Sequence, residues 1–322
     1  MQRRYFIQSV LMSGAAVAGG SRLMPAIAAH STDASGETPA TRSFTLRYAP
    51  HFGMFKNSAG DGLISQIEFA ADQGFTAWED NEMKSRPIEV QEQIACTLEK
   101  RGMEMGVISA LRGVWSKVNF AGNDASLREE ILVAMKNIVG VARRVNTKYL
   151  TVVPGLQDPK LPEGYQFGNA VDLLRRCADI VEPAGLIMVL EPLNRQKNHP
   201  GVYLSDSSHA YALCRAVNRP SCKILFDIYH QQITNGNLTH HLNLCWDEIG
   251  YLQSGDNPGR NEPGTGEINY VNLFRTLLAK GYQGMIGLEH GNSLTGVEGE
   301  QAVIAAYRAV DPTPQAEKTG ET

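Results

Sequence analysis

The chain has 322 residues, a net charge of −4 from 30 Lys and Arg against 34 Asp and Glu, and 43% hydrophobic residues. That length suits one large domain of about 250 residues or two smaller ones, and the composition excludes a disordered or fibrous chain. Acidic residues outnumber basic ones, so the chain is not expected to have the cationic surface that binding of phosphate backbones requires. No nucleic-acid partner is therefore expected. No run of about 18 uninterrupted apolar residues occurs, which excludes a bundle of membrane-spanning helices.

The N-terminus resembles a twin-arginine export signal. Arg3 and Arg4 precede a weakly hydrophobic stretch rich in Gly and Ala, and a small-residue cleavage motif ends at Ala28. We therefore predict a signal peptide at 1–28, a polar linker at 29–43 and a periplasmic mature chain with no stable membrane span after cleavage. Residues 1–28 contain three arginines and no acid, so cleavage would shift the net charge from −4 to −7.

From residue 44 to residue 310 the chain repeats a strand–helix unit. Short β-branched and apolar runs predict eight strands, at Phe44–Ala49, Phe75–Trp78, Glu104–Ser109, Lys148–Val153, Ile187–Leu190, Lys223–Phe226, Glu248–Leu252 and Met285–Leu288. Helical periodicity predicts helices at Leu63–Gln73, Val90–Arg101, Leu127–Val145, Ala170–Pro183, Ser208–Val217, Val271–Gly281 and Gly296–Val310. Eight such units in one stretch of this size predict an α/β fold, a single-domain (β/α)8 TIM barrel, followed by a disordered tail at 311–322.

A doubly wound parallel sheet could also be built from alternating strands and helices. Such a sheet usually has a glycine-rich first turn that binds its ligand. Here the first predicted strand runs into Ala49-Pro-His-Phe-Gly, and neither a G-x-G-x-x-G motif nor a P-loop occurs in the chain. The barrel is therefore favoured.

Oxygen-bearing side chains follow the last four predicted strands. Glu191, Asp227, Gln253 and Glu289 each come directly after an apolar strand, where barrel enzymes carry their chemistry. Any one of them could merely cap the next helix. Three carboxylates and one amide from adjacent strands, however, form the kind of oxygen-ligand set that Mg²⁺ or Mn²⁺ prefers. The pattern predicts a site for one divalent metal ion.

Three segments carry a resemblance to a known family: Glu191-Pro-Leu-Asn, Phe226-Asp-Ile-Tyr-His230 and the long unusual run from Gln253 to Tyr270. In these segments the chain resembles the hydroxypyruvate isomerase family, which is part of the xylose-isomerase-like barrels, and the likeness is densest from 187 to 290. The resemblance implies metal ligands at Glu191, Asp227, Gln253 and Glu289, catalytic carboxylates at Glu191 and Glu289, and substrate contacts at His230 and Arg260.

The implied chemistry agrees with these residue types. Aldose–ketose interconversion removes a proton beside a carbonyl and returns it to the neighbouring carbon, which two carboxylates can do as base and acid. A metal ion stabilises the enediolate between the two steps. Arg260 offers a fork for a substrate carboxylate, and His230 either donates to a substrate oxygen or orients Asp227. The expected substrate is a small hydroxy-keto acid or keto-sugar, with hydroxypyruvate to tartronate semialdehyde as the leading reaction.

Particular residues disfavour other functions known for this barrel fold. The abasic-site endonuclease branch of these barrels needs additional histidines, where this chain has Trp78-Glu79-Asp80 and Gln253, and it is disfavoured. Ketose 3-epimerases usually carry His in place of Gln253 and a further Glu near Arg195-Gln-Lys197, so they form the closer alternative. A non-catalytic sugar-binding barrel would not need two carboxylates at one metal.

His51 and Glu79 fall on the active face, where either lining the pocket or shaping a turn would suit them. The oligomeric state is not fixed by the sequence, and a homo-oligomer is one option.

Overall fold

The structure is a computed structural model that describes residues 43–113 and 116–313. The predicted signal peptide at 1–28, the linker up to residue 42 and the tail from residue 314 lie outside the described residues. Those three segments therefore stay predictions.

Every strand and helix that the periodicity predicts is present, and three further short helices lie at Lys56–Ala59, Ile228–Thr234 and Leu238–Leu244. The strands are β1 Arg47–Ala49, β2 Ala77–Trp78, β3 Glu104–Met105, β4 Ile108–Ser109, β5 Tyr149–Val152, β6 Ile187–Leu190, β7 Cys222–Asp227, β8 Ile249–Ser254 and β9 Met285–Leu288. The helices are α1 Lys56–Ala59, α2 Leu63–Asp72, α3 Ile88–Lys100, α4 Ala125–Arg144, α5 Glu163–Val181, α6 Ser207–Val217, α7 Ile228–Thr234, α8 Leu238–Leu244, α9 Tyr270–Ala279 and α10 Gly296–Val310. Among the described residues, no helix combines the length and apolarity that a bilayer crossing needs.

All strand pairs are parallel and follow the order of a barrel. Seven strands pair in the order β1-β9-β8-β7-β6-β5-β4, and β2 pairs with β3. A parallel bridge between His51 and Glu79 links the ends of β1 and β2. The predicted third strand is interrupted at Gly106 and forms β3 and β4, yet the Gly106 amide still donates to the Trp78 carbonyl at 2.7 Å. The predicted TIM barrel is therefore confirmed.

The strands are buried on both faces, which is why they read as continuous apolar runs rather than alternating ones. One face packs on the helices, and the other fills the barrel interior with a small cluster that includes Val107, Val189, Leu225 and Tyr251. The helices are amphipathic. In α9, for example, the buried residues are Tyr270, Leu273, Phe274 and Leu277, spaced i, i+3, i+4 and i+7.

Asp311, the residue after α10, connects the C-terminal end of the barrel to the segment before β1 through hydrogen bonds. Its carboxylate accepts hydrogen bonds from the backbone amides of Thr45 at 2.7 Å and Leu46 at 3.1 Å. These contacts anchor the entry to β1 beside the end of the last helix, so the ordered fold includes the first residue of the predicted tail.

Candidate active site

The four predicted metal ligands lie together at the carboxyl ends of β6, β7, β8 and β9, which are neighbours in the sheet. Asp227 and Gln253 are directly opposite one another across the β7–β8 pair. Glu191, Asp227 and Gln253 are buried, whereas the Glu289 side chain is 32% exposed. The sheet order thus brings the predicted ligands to one end of the barrel, with Glu289 nearest to solvent.

Two oxygens of the four predicted ligands have no hydrogen-bond partner among the described residues. They are Asp227 Oδ2 and Gln253 Oε1, and both are fully buried. Asp227 Oδ1, by contrast, accepts from the backbone amide of His230 at 2.9 Å and caps α7. Buried polar atoms in native proteins are nearly always satisfied, so two such oxygens on neighbouring strands fit a cation bound between them.

The electrostatics of Glu191 point to the same conclusion. Burial raises the pKa of Glu191 well above its usual value, and the nearby Asp227 and Glu289 raise it further, against a lowering effect of Arg260. Ligand-capable atoms of Glu191, Asp227 and His230 lie within 4.8 Å of one another. A divalent cation would favour the ionised carboxylates, and the residues present fit Mg²⁺ or Mn²⁺.

His230 is held at Nδ1 by Asn194, while its Nε2 lies 3.4 Å from Arg260 Nη2. The backbone amide of Asn194 donates to His230 Nδ1 at 3.2 Å, and the Asn194 side-chain Nδ2 lies 2.7 Å from the same atom. Burial lowers the pKa of His230 to about 4, so the ring is neutral near pH 7. Because Nδ1 accepts, Nε2 carries the proton. Nε2 is 3.9 Å from Asp227 Oδ2, so the ring does not orient that carboxylate.

Arg260 places its guanidinium among the acidic groups. Its Nη2 lies 3.7 Å from Asp227 Oδ2 and 3.6 Å from Glu289 Oε1, and its Nε donates to the Glu289 carbonyl at 3.0 Å. The guanidinium carbon is 4.9 Å from the centre of the Tyr229 ring, a cation–π distance. The side chain is 26% exposed, so it can meet a ligand as well as partly neutralise the site.

The loop that carries Arg260 is folded around the buried carboxylate of Asp256. Asp256 Oδ2 accepts from the amides of Gly264 at 2.8 Å and Gly266 at 2.9 Å, and Oδ1 accepts from Ile268 at 3.1 Å. Arg260 itself has φ of +54°, a left-handed conformation that is costly for a residue with a side chain. The long motif after β8 therefore serves to hold one arginine over the site.

We expect Gly266→Ala to destabilise the fold by about 1–3 kcal/mol. A Cβ at this position would overlap the carbonyl oxygen of Asn257, so the loop must shift. Gly140→Ala is the matched control, because a Cβ there meets nothing within 4 Å in the interior of α4 and alanine favours a helix. Urea unfolding checks both. Equal stability of the two variants would contradict the tight loop packing.

Glu79 is the site residue whose role sequence reasoning left open. Its side chain is buried and accepts from Gln253 Nε2 at 2.6 Å, Tyr251 OH at 3.3 Å and Asn81 Nδ2 at 3.3 Å. Burial raises the pKa of Glu79, and Glu289 and Glu191 add to that rise. Its position directly after the second strand predicts that it lies on the active face. No local sequence pattern predicts its contact with Gln253.

A cavity of about 560 Å³ opens beside these groups. Its walls include His51, Glu79, Arg260 and Glu289. His51 is held by contacts of its two ring nitrogens with the carbonyls of Phe52 and His290 at 3.0 and 3.2 Å. The cavity exposes Arg260 and Glu289 to solvent and could hold a small polar ligand beside the predicted metal ligands.

Comparisons with known proteins agree with this fold. The family model described as xylose isomerase-like TIM barrel matches residues 67–310. A hydroxypyruvate isomerase of Escherichia coli is 33% identical over 173 residues, which is 52% of this chain and 64% of that protein, so a little under two thirds of that relative is spanned. A 2-oxo-tetronate isomerase of Cupriavidus necator is 27% identical over 76% of this chain and 92% of that protein.

A solved structure with a similar fold is that of an AP endonuclease, family 2, from Brucella melitensis. It matches with a TM-score of 0.70 over 81% of this chain and 96% of that chain, at 23% identity. At that identity the likeness shows the barrel alone.

Proposed function

Since the chain belongs to the xylose isomerase-like TIM barrel family, we propose that it is a metal-dependent isomerase of small α-hydroxycarbonyl compounds. The leading reaction is conversion of hydroxypyruvate to tartronate semialdehyde. The observation that carries the proposal is the meeting of Glu191, Asp227, Gln253 and Glu289 at four neighbouring strand ends, where two of their buried oxygens have no hydrogen-bond partner among the described residues. The relatives named hydroxypyruvate isomerase and 2-oxo-tetronate isomerase support it.

Glu191, Asp227, Gln253 and Glu289 would hold the cation. When bound, a divalent cation polarises carbonyl and hydroxyl oxygens and lowers the energy of the enediolate that forms between the two proton transfers. The donor set of three carboxylates and one amide oxygen matches the preference of Mg²⁺ and Mn²⁺.

Two carboxylates carry the protons. Glu289 lies at the cavity wall and takes the proton from the carbon that bears the substrate hydroxyl. Glu191, at the end of β6, delivers a proton to the adjacent carbon. The hydroxyl hydrogen moves to the former carbonyl oxygen, so atoms and charge balance across the isomerisation.

The substrate oxygens meet two fixed donors. Asn194 donates to His230 Nδ1, so the ring proton is on Nε2. From there the ring can donate a hydrogen bond to a substrate oxygen. Arg260 presents its fork to a carboxylate, which favours keto acids over uncharged sugars. The cavity of about 560 Å³ is larger than a three-carbon acid needs, so a four-carbon oxo acid also belongs among the candidate substrates.

Solvent deuterium incorporation tests the proposal. The chain is incubated in D₂O with hydroxypyruvate, a 2-oxo-tetronate and a set of uncharged keto-sugars, with Mn²⁺ or Mg²⁺ and then with EDTA. We expect metal-dependent deuterium uptake into a keto acid. Uptake confined to the keto-sugars would instead favour the epimerase alternative, and no uptake into any compound would contradict the proposed activity.

Export by the twin-arginine route is proposed as well, on the Arg3-Arg4 pair, the weakly hydrophobic stretch that follows it and the cleavage motif that ends at Ala28. Replacing both with lysine should leave the chain in the cytoplasm of the bacterial host. Fractionation that finds wild-type and variant chains in the same compartment would contradict export by this route.

A further inference from the structure

Three side chains inside the mouth of the barrel form a connected polar group. Glu79 follows β2, and Tyr251 and Gln253 both lie on β8, more than 170 residues away along the chain. Gln253 Nε2 donates to Glu79 Oε1 at 2.6 Å, and the Tyr251 hydroxyl donates to Glu79 Oε2 at 3.3 Å. All three are almost fully buried, with exposures of 2%, 0% and 1% for Glu79, Tyr251 and Gln253.

Two glycines make room for this group. A Cβ at Gly287 on β9 would overlap Glu79 Oε2, and a Cβ at Gly106 would overlap the Tyr251 hydroxyl. Neighbouring positions on the inner face of the barrel are filled by residues such as Val107 and Val189. The inner layer thus has no side chain at two places, on β9 and in the break between β3 and β4, where the Glu79 carboxyl group and the Tyr251 hydroxyl lie.

The group determines which end of the Gln253 amide is free. Its Nε2 is committed to Glu79, which leaves Oε1 as the free end, and Oε1 is buried with no hydrogen-bond partner among the described residues. Gln253 stands opposite Asp227, whose Oδ2 has no hydrogen-bond partner either. An amide turned the other way would put an N–H beside this acidic cluster, and an N–H cannot bind a cation.

We propose that Glu79 is a positioning residue for the metal site: by accepting the hydrogen bond from Gln253 Nε2, it keeps the Gln253 carbonyl oxygen available as a ligand. This inference rests on the proposed function, because it needs a cation at Gln253. Residues that orient a metal ligand typically change metal affinity by about 10–100-fold when they are replaced. The role is one of orientation and does not require the charge of Glu79 to act on the cation.

Mn²⁺ binding to the full chain, followed by the EPR signal of free Mn²⁺, tests the role without using activity. Glu79→Met removes the acceptor at similar length and should weaken Mn²⁺ binding about 10–100-fold. Glu79→Gln keeps an oxygen acceptor without the charge and should bind Mn²⁺ more tightly than Glu79→Met. Glu300→Met is the matched control, since Glu300 is a buried carboxylate that accepts from the Asn57 amide outside the site, and its affinity should equal that of the wild type.

A double-mutant cycle separates orientation from general stability. In a Gln253→Ala background, Glu79→Met should change the Mn²⁺ affinity no further, because the oriented amide is already gone. The role is overturned if Glu79→Met binds Mn²⁺ like the wild type, if Glu79→Gln loses as much as Glu79→Met, or if the full loss persists without Gln253. Glu79→Ala replaces Glu79→Met if the latter does not fold. A wild-type chain that binds no Mn²⁺ would instead contradict the proposed function itself.

Discussion

Glu289→Gln should reduce deuterium incorporation into the substrate by about 10²–10⁴-fold, the usual contribution of a general base. Glutamine keeps the size of the side chain and an oxygen that can still face a cation, but it cannot take a proton. Because Glu289 is the partly exposed carboxylate at the cavity wall, the loss should fall on turnover rather than on folding. Isotope uptake measured by mass spectrometry at saturating substrate and Mn²⁺ checks this.

Glu298→Gln is the matched control for that measurement. Glu298 lies in the first turn of α10, is exposed and is not one of the cavity residues, so its replacement should leave the exchange rate unchanged. If Glu289→Gln exchanges as fast as Glu298→Gln, Glu289 is not the base, and the proposed division of roles with Glu191 is wrong.

Asp227→Asn should weaken Mn²⁺ binding by at least about 100-fold, the upper end of the effect seen for residues that only support a ligand. The substitution removes a negative charge and offers an N–H where Oδ2 now stands without a hydrogen-bond partner. The other oxygen can still accept from the His230 amide, so the cap of α7 is kept. Calorimetric titration with Mn²⁺ measures the change.

The chain offers a control with the same local structure. Asp206 caps α6 by accepting from the amide three residues later, at 2.9 Å, as Asp227 does for α7. Asp206→Asn changes the same chemical groups outside the site, and its Mn²⁺ affinity should equal that of the wild type. Equal affinity in Asp227→Asn would contradict a cation bound at Asp227.

The sequence predicts the barrel well where a strand is a short apolar run with clear limits. The strands 187–190 and 285–288 have the predicted bounds, and a polar side chain follows each one. The prediction of a continuous third strand at Glu104–Ser109 was wrong at its centre, where Gly106 lies against the Tyr251 hydroxyl. That contact joins residues far apart in the chain, so no local pattern signals it.

The site was predictable to the extent that strand ends meet at one face of a barrel. This rule brings Glu191, Asp227, Gln253 and Glu289 together, and the structure places them there. It does not show that Glu79 binds the Gln253 amide or that Asn194 holds the tautomer of His230. Those arrangements depend on side-chain distances between separate strands and loops, which residue type and spacing do not encode.

Anomalous diffraction from crystals grown with MnCl₂, recorded at the manganese edge, tests the central claim most directly. We predict one strong peak at the carboxyl ends of β6 to β9, bonded to oxygens of Glu191, Asp227, Gln253 and Glu289, with His230 Nε2 outside the coordination sphere. A peak bonded to His230 Nε2 in place of Gln253, or the lack of any peak at this end of the barrel, would contradict the account.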